Sequence, residues 1–155
     1  GKTFRQSFTD GENILYHANG KKWEQGRHEN GVRVGVWREW NIDGVLVKER
    51  NYSSGYYDGV CREWYDDGTN RSILHFCNGK LDGMWTEYDE EGHLTDIMEF
   101  SNGLAEGLWK SFHDNGQLKF EGTFCNDLED GWHIWRDRFG RITKRKFFAK
   151  GREVH

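Results

Sequence analysis

The chain has 155 residues, room for one domain at ~100–200 residues per domain, but only 35% of them are hydrophobic and the mean hydropathy is -0.96. A compact globule of that make-up would be short of apolar side chains for its interior, whereas eight Trp, six Tyr and ten Phe exclude a disordered chain. The net charge of -4 hides a division: +2 over residues 1–34, -12 over 35–130 and +6 over 131–155. Twenty glycines and no proline point to many tight turns between regular strands, in a thin fold with much surface.

The predicted elements follow a ladder of glycines. Gly11, Gly35, Gly59, Gly83, Gly107 and Gly131 are each 24 residues apart, as are Gly20, Gly44, Gly68, Gly92, Gly116 and Gly140. A third series runs Gly31, Gly55, Gly79, Gly103 and Gly151, with Asp127 in the one gap, and Gly26 and Gly122 share a fourth register. Residues 1–10 are expected to form a cap or partial repeat. An array over residues 11–154 is expected to follow, with units beginning near Gly11, Gly35, Gly59, Gly83, Gly107 and Gly131.

Each unit reads as a β-hairpin. In the second, a strand from about Val36 to Asn41 leads into an Asp43-Gly44 turn, because glycine takes a positive φ freely and Asp closes such turns. The returning strand runs from about Val45 to Ser53, and Ser54-Gly55 opens the loop to Asp58-Gly59. Trp85–Tyr88 with Asp89–Gly92, and Trp109–Phe112 with His113–Gly116, repeat the design. Alternation along a strand sets Val36, Arg38 and Trp40 on one face and Trp37 and Glu39 on the other. The terminal units degenerate as caps do: His133 and Arg136 replace aromatics in the last, and Trp132 and Trp135 sit one place early, which predicts a slipped register or a bulge. The expected fold is all-β, an elongated antiparallel β-meander or solenoid of about six 24-residue hairpins, each leaning on the next for burial.

The unit Gly83-Met84-Trp85-Thr86-Glu87-Tyr88, then Glu91-Gly92-His93-Leu94, then Phe100-Ser101-Asn102-Gly103 resembles a MORN repeat of the second, variant type. Gly107 to Asn126 matches nearly as well, and the resemblance covers roughly residues 11 to 151. It implies an elongated β-meander that acts as a binding or scaffolding surface, sometimes near lipid, and it carries over no catalytic residue.

Chemistry-bearing groups are sparse. Cys61, Cys77 and Cys125 are few, odd in number and without C-x-x-C spacing, which favours a reducing, intracellular setting over a disulfide framework. Cys77 and Cys125 share a column two repeats apart, too far to share a metal, and no phosphate-binding or nucleophile-elbow motif is present. The expectation is a protein that is not an enzyme and uses neither cofactor nor metal. Asp10, Asp58, Asp82, Glu106 and Asp130 precede the first glycine of their units, where turn chemistry accounts for them.

The expected function is a non-catalytic scaffold for protein–protein interaction through an aromatic and acidic sheet surface, with Trp37, Trp85, Trp109, Glu39, Glu63 and Glu87 as contact residues for a partner of basic character. Stacking of the three tryptophans as core is the competing account. One alternative is peripheral binding of anionic lipid or nucleic acid through the basic end, Arg138, Arg141, Lys144, Arg145 and Lys146. A charged cap that prevents sheet-end aggregation explains the same residues. Another alternative is an antitoxin or immunity role against a basic toxin, and acidic middle and basic end would also allow head-to-tail self-association.

Overall fold

The computed structural model describes residues 10–155, so the cap or partial repeat expected over residues 1–10 lies, Asp10 apart, outside the described residues. The strands are β1 (Gly11–Tyr16), β2 (Lys22–Glu29), β3 (Val32–Trp40), β4 (Leu46–Ser53), β5 (Tyr56–Tyr57), β6 (Gly59–Trp64), β7 (Asn70–Cys77) and β8 (Lys80–Leu81). They continue as β9 (Gly83–Tyr88), β10 (Leu94–Ser101), β11 (Leu104–Phe112), β12 (Leu118–Cys125), β13 (Leu128–Glu129), β14 (Gly131–Arg136), β15 (Ile142–Ala149) and β16 (Arg152–Val154). All sixteen lie in one open antiparallel sheet whose strands follow each other in chain order. The short β5, β8 and β13 pair with the strands that precede them. The fold is the all-β meander of hairpins that the glycine spacing predicts.

Two kinds of turn alternate. At one edge the chain reverses through two residues that both take positive φ, such as Asn102-Gly103 (φ 51 and 84) and Ser54-Gly55 (φ 48 and 84), the backbone of a type I′ hairpin. This is a tight turn, not the opening of a loop. At the other edge, the Asn41 N–H donates to Val45 O at 2.9 Å and the Gly44 N–H donates to Asn41 O at 2.9 Å. The Asn41 side chain, two residues ahead of Asp43, accepts from the Asp43 and Val45 N–H groups at 3.1 and 2.9 Å. Successive turns are also tied together. The Gly103 N–H donates to Leu81 O at 2.7 Å, and the Tyr65 hydroxyl donates to Tyr88 O at 2.8 Å.

From the second unit on, the glycine that opens the unit marks a bulge. Between the pairs Gln25↔Arg38 and Arg27↔Val34, three residues of β3, Gly35 to Trp37, stand against Gly26 alone. The same step recurs where Met98 pairs with Trp109 and Phe100 with Ala105. The extra residues swing the tryptophan over the neighbouring strand. In the last unit the register is unchanged: Gly131 faces Phe148 as Gly35 faces Tyr52, with the same irregularity before Arg136 as before Trp40. The predicted slip is therefore absent. Trp132 instead points to the opposite face, where it packs on Phe147 at 5.2 Å between ring centroids, and Trp135 takes the place that Glu39 and Glu87 hold in their units.

A single sheet has no interior layer, and among the described residues only Trp37, Cys61 and Phe120 are buried hydrophobics. The apolar contact is lateral. Tyr52, Tyr57 and Phe76 step across the sheet at 5.0 and 5.1 Å, and Trp109, Phe120 and Trp135 at 5.1 Å each. Aromatic pairs of this kind add ~0.5–1.5 kcal/mol each beyond their area.

Candidate functional site

Cross-strand pairing arranges the aromatic face in rows. Met98 on β10 pairs with Trp85 on β9 and with Trp109 on β11, so it forms a floor between two indoles. In the next row Asp96 pairs with Glu87 on one side and Ser111 on the other. Alternation keeps both rows on one face. Trp85, Glu87, Asp96, Met98 and Trp109 enclose an open cavity of about 160 Å³. Beyond Trp109, a second cavity of about 280 Å³ is lined by Phe120, Phe124, His133 and Trp135.

The carboxylates at this site are held by the indoles. The Trp85 Nε1–H donates to Glu87 Oε1 at 2.6 Å, and the Trp109 Nε1–H donates to Asp96 Oδ1 at 3.2 Å. Loss of surrounding water pushes the Glu87 carboxyl above its ordinary pKa, against the indole hydrogen bond and the more distant Arg71, while Glu63 and Asp96 push it further up. Among the described residues neither Glu87 nor Asp96 has a cation within ion-pair distance.

The expected contact residues separate on this geometry. Trp85, Trp109 and Glu87 line the cavity together. Glu39 and Glu63 lie on the same face but flank Arg50, 3.9 and 3.3 Å from its guanidinium. Trp37 is 4% exposed, edge-on to His28 at 4.9 Å and covered by the Arg33 guanidinium at 4.1 Å, so it is packed as core. The acids ahead of the first glycines cap turns: the Gly31 N–H donates to Asp10 at 3.1 Å and the Asn126 N–H to Glu106 at 2.8 Å. Sequence reasoning missed Met98 and Asp96, whose place is set by the bulge, and Phe120 and Trp135, which stand where other units carry polar residues.

The basic end does not form one surface. Arg138 and Arg141 belong to the turn after β14 and are paired with Asp114 at 2.8 Å and Asp137 at 3.2 Å. Lys144 lies over Trp135 at 4.7 Å and Lys146 pairs with Glu153 at 3.2 Å, both on the aromatic face, whereas Arg145 alternates to the other face. Cys61 is buried, and burial raises its thiol pKa; Cys77 and Cys125 are exposed and free. Among the described residues no three His, Cys, Asp or Glu side chains gather as a metal site would require.

One open sheet, hairpins in chain order and a face of aligned aromatics define an all-β repeat array. The family model described as MORN repeat variant matches residues 81–102 and 105–126, the two units that enclose the cavity, so the chain carries MORN-variant repeats there. No curated protein matches the chain. MORN repeats are in general modules that contact proteins or membranes.

Proposed function

We propose that the chain is a non-catalytic scaffold whose aromatic face, from Trp85 to Trp135, binds a basic segment of another protein. The observation that supports this most is the pair of cavities on either side of Trp109: one bordered by Glu87 and Asp96, which among the described residues have no cation within ion-pair distance, the other walled by aromatics with Glu129 and Lys119 at its border. Large aromatics give contact area at low entropic cost, and carboxylates without a direct ion pair choose the sign of the partner. Lipid or nucleic-acid binding through the C-terminal unit finds less support, because Arg138, Arg141, Lys144, Arg145 and Lys146 are divided between a turn and two faces.

A photo-cross-linking residue placed at Ser111, on the aromatic face, and separately at Lys110, on the other, tests the reading inside cells. Adducts to one protein from Ser111 only, within a Lys- or Arg-rich segment, are expected. Equal adducts from both positions, or none from Ser111, would overturn it.

A further inference from the structure

The repeats supply an internal comparison. At the N-terminal end, the Arg33 guanidinium lies 4.1 Å from the Trp37 ring and ion-pairs with Glu24 at 2.6 Å. Arg33 pairs across the sheet with His28. Three units, or 72 residues, further on, the same register holds Asp96 for Glu24, Trp109 for Trp37 and Phe100 for His28, but Ala105 for Arg33. The indole and the carboxylate are retained and the guanidinium is gone; Met98 also stands where Gly26 lies under Trp37, and the indole N–H donates to Asp96 Oδ1 where that of Trp37 donates to Arg27 O.

A second arginine is missing from the same place. Arg50 lies between Glu39 and Glu63. Two units later Glu87 corresponds to Glu39, and Met98 corresponds to Arg50. Both arginines that neutralise this face elsewhere are thus replaced by neutral residues in one location. There the space stands open at about 160 Å³, room for about five waters at ~30 Å³ each.

We infer that Trp109 and Asp96, flanked by Glu87 and Trp85, form a binding site for the guanidinium of an arginine on a partner polypeptide, which would sit as Arg33 sits on Trp37 and Glu24. A planar guanidinium stacks on an indole and donates in its own plane to carboxylates, a combination that an ammonium does not match. Asp96 Oδ1 already takes the Trp109 N–H and Glu87 Oε1 the Trp85 N–H, so Asp96 Oδ2 and Glu87 Oε2 are the acceptors left for the ligand. The site rests on the reading of the aromatic face as a protein-binding surface and names the side chain that the face selects.

The test titrates the ¹⁵N-labelled full chain with an acetylated, amidated Gly-Arg-Gly peptide, and with the same peptide carrying citrulline, the uncharged isostere. A saturable shift of the Trp109 indole N–H with the arginine peptide and none with citrulline is expected. Asp96→Asn should weaken binding about tenfold or more, the effect of losing a charged hydrogen bond. Ala105→Arg should fill the site from within and abolish the titration, while leaving the chain at least as resistant to denaturant as before. No saturable shift, an equal response to citrulline, or arginine binding unaffected by both substitutions would overturn the inference. So would self-association that already shifts the Trp109 indole without peptide, because the occupant would then be a second copy. If peptide binding fails while Ser111 still cross-links a basic protein, only this site is wrong. If peptide binds and Ser111 cross-links nothing, the site stands and the wider reading falls.

Discussion

Gly26 lies directly beneath the indole of Trp37, so close that a Cβ on Gly26 would come within 2.1 Å of a ring carbon. Gly122 stands in the same relation to Phe120 and His133, with a Cβ 2.7 and 2.9 Å from them. These are glycines of close approach, with no positive φ to explain them. Gly26→Ala is expected to cost about 1–3 kcal/mol, the range for overpacking, in chemical denaturation. Trp37→Ala should cost about 3–5 kcal/mol. In the Trp37→Ala background the added cost of Gly26→Ala should nearly vanish, because both substitutions act on one contact.

Asp127 fills the one gap in a glycine series. It holds a positive φ of 68, its N–H donates to Ala105 O at 3.0 Å as a glycine's would, and its side chain accepts from the Ala105 N–H at 2.5 Å. Asp127→Ala keeps the strained backbone and loses the side-chain bond, and should destabilise by about 1–2 kcal/mol. Asp127→Gly loses the same bond but relieves the strain, so it should fall within about 1 kcal/mol of the parent. Thermal unfolding of the two variants separates backbone strain from hydrogen bonding.

Glu87 carries a pH signature. Its carboxyl is held above the ordinary value of 4.5, chiefly by desolvation, with Trp85 and Arg71 opposing and Glu63 and Asp96 assisting. The folded chain therefore binds this proton more tightly than the unfolded chain. The stability linked to it is full below pH 4.5 and is lost as pH rises through the folded value. Glu87→Gln should be more stable than the parent at neutral pH, with an advantage that shrinks towards pH 4. Asp67, Asp89 and Asp137, whose pKa values are lowered, act in the opposite sense but are common to both proteins, so they cancel in the difference. Urea denaturation between pH 4 and 8 provides the comparison.

Thiol chemistry should divide the cysteines. Cys61 is buried and its pKa is raised, first by desolvation, whereas Cys77 and Cys125 are exposed. Only the thiolate reacts, so a thiol reagent at neutral pH should modify Cys77 and Cys125 promptly and Cys61 only on unfolding. Mass mapping after brief labelling distinguishes the sites.

The 24-residue step made the hairpins, both turn positions and the alternation of Trp37 with Val36 legible before any coordinates. It also placed Trp85, Trp109 and Glu87 on one face. It did not show which residue of the returning strand stands between two tryptophans, because a bulge sets three residues against one and shifts the count between turn and pair. Met98 and Asp96 were hidden for that reason. The early tryptophans of the last unit misled for a different reason: register there follows Gly131 and its turn, and the large side chains accept whichever face results. Trp37 lies on Gly26 under the Arg33 guanidinium, whereas Met98 and Ala105 hold the equivalent places beside Trp109, a difference visible only once the positions are known to correspond.

Among the described residues no strand inserts between two that are distant in the chain, and the two outermost strands, β1 and β16, each have a neighbour on one side only. Loss of order from either end therefore releases one hairpin at a time without unlocking the rest, and the units around Trp85 and Trp109, sheltered on both flanks, should be the last whose amides exchange with solvent.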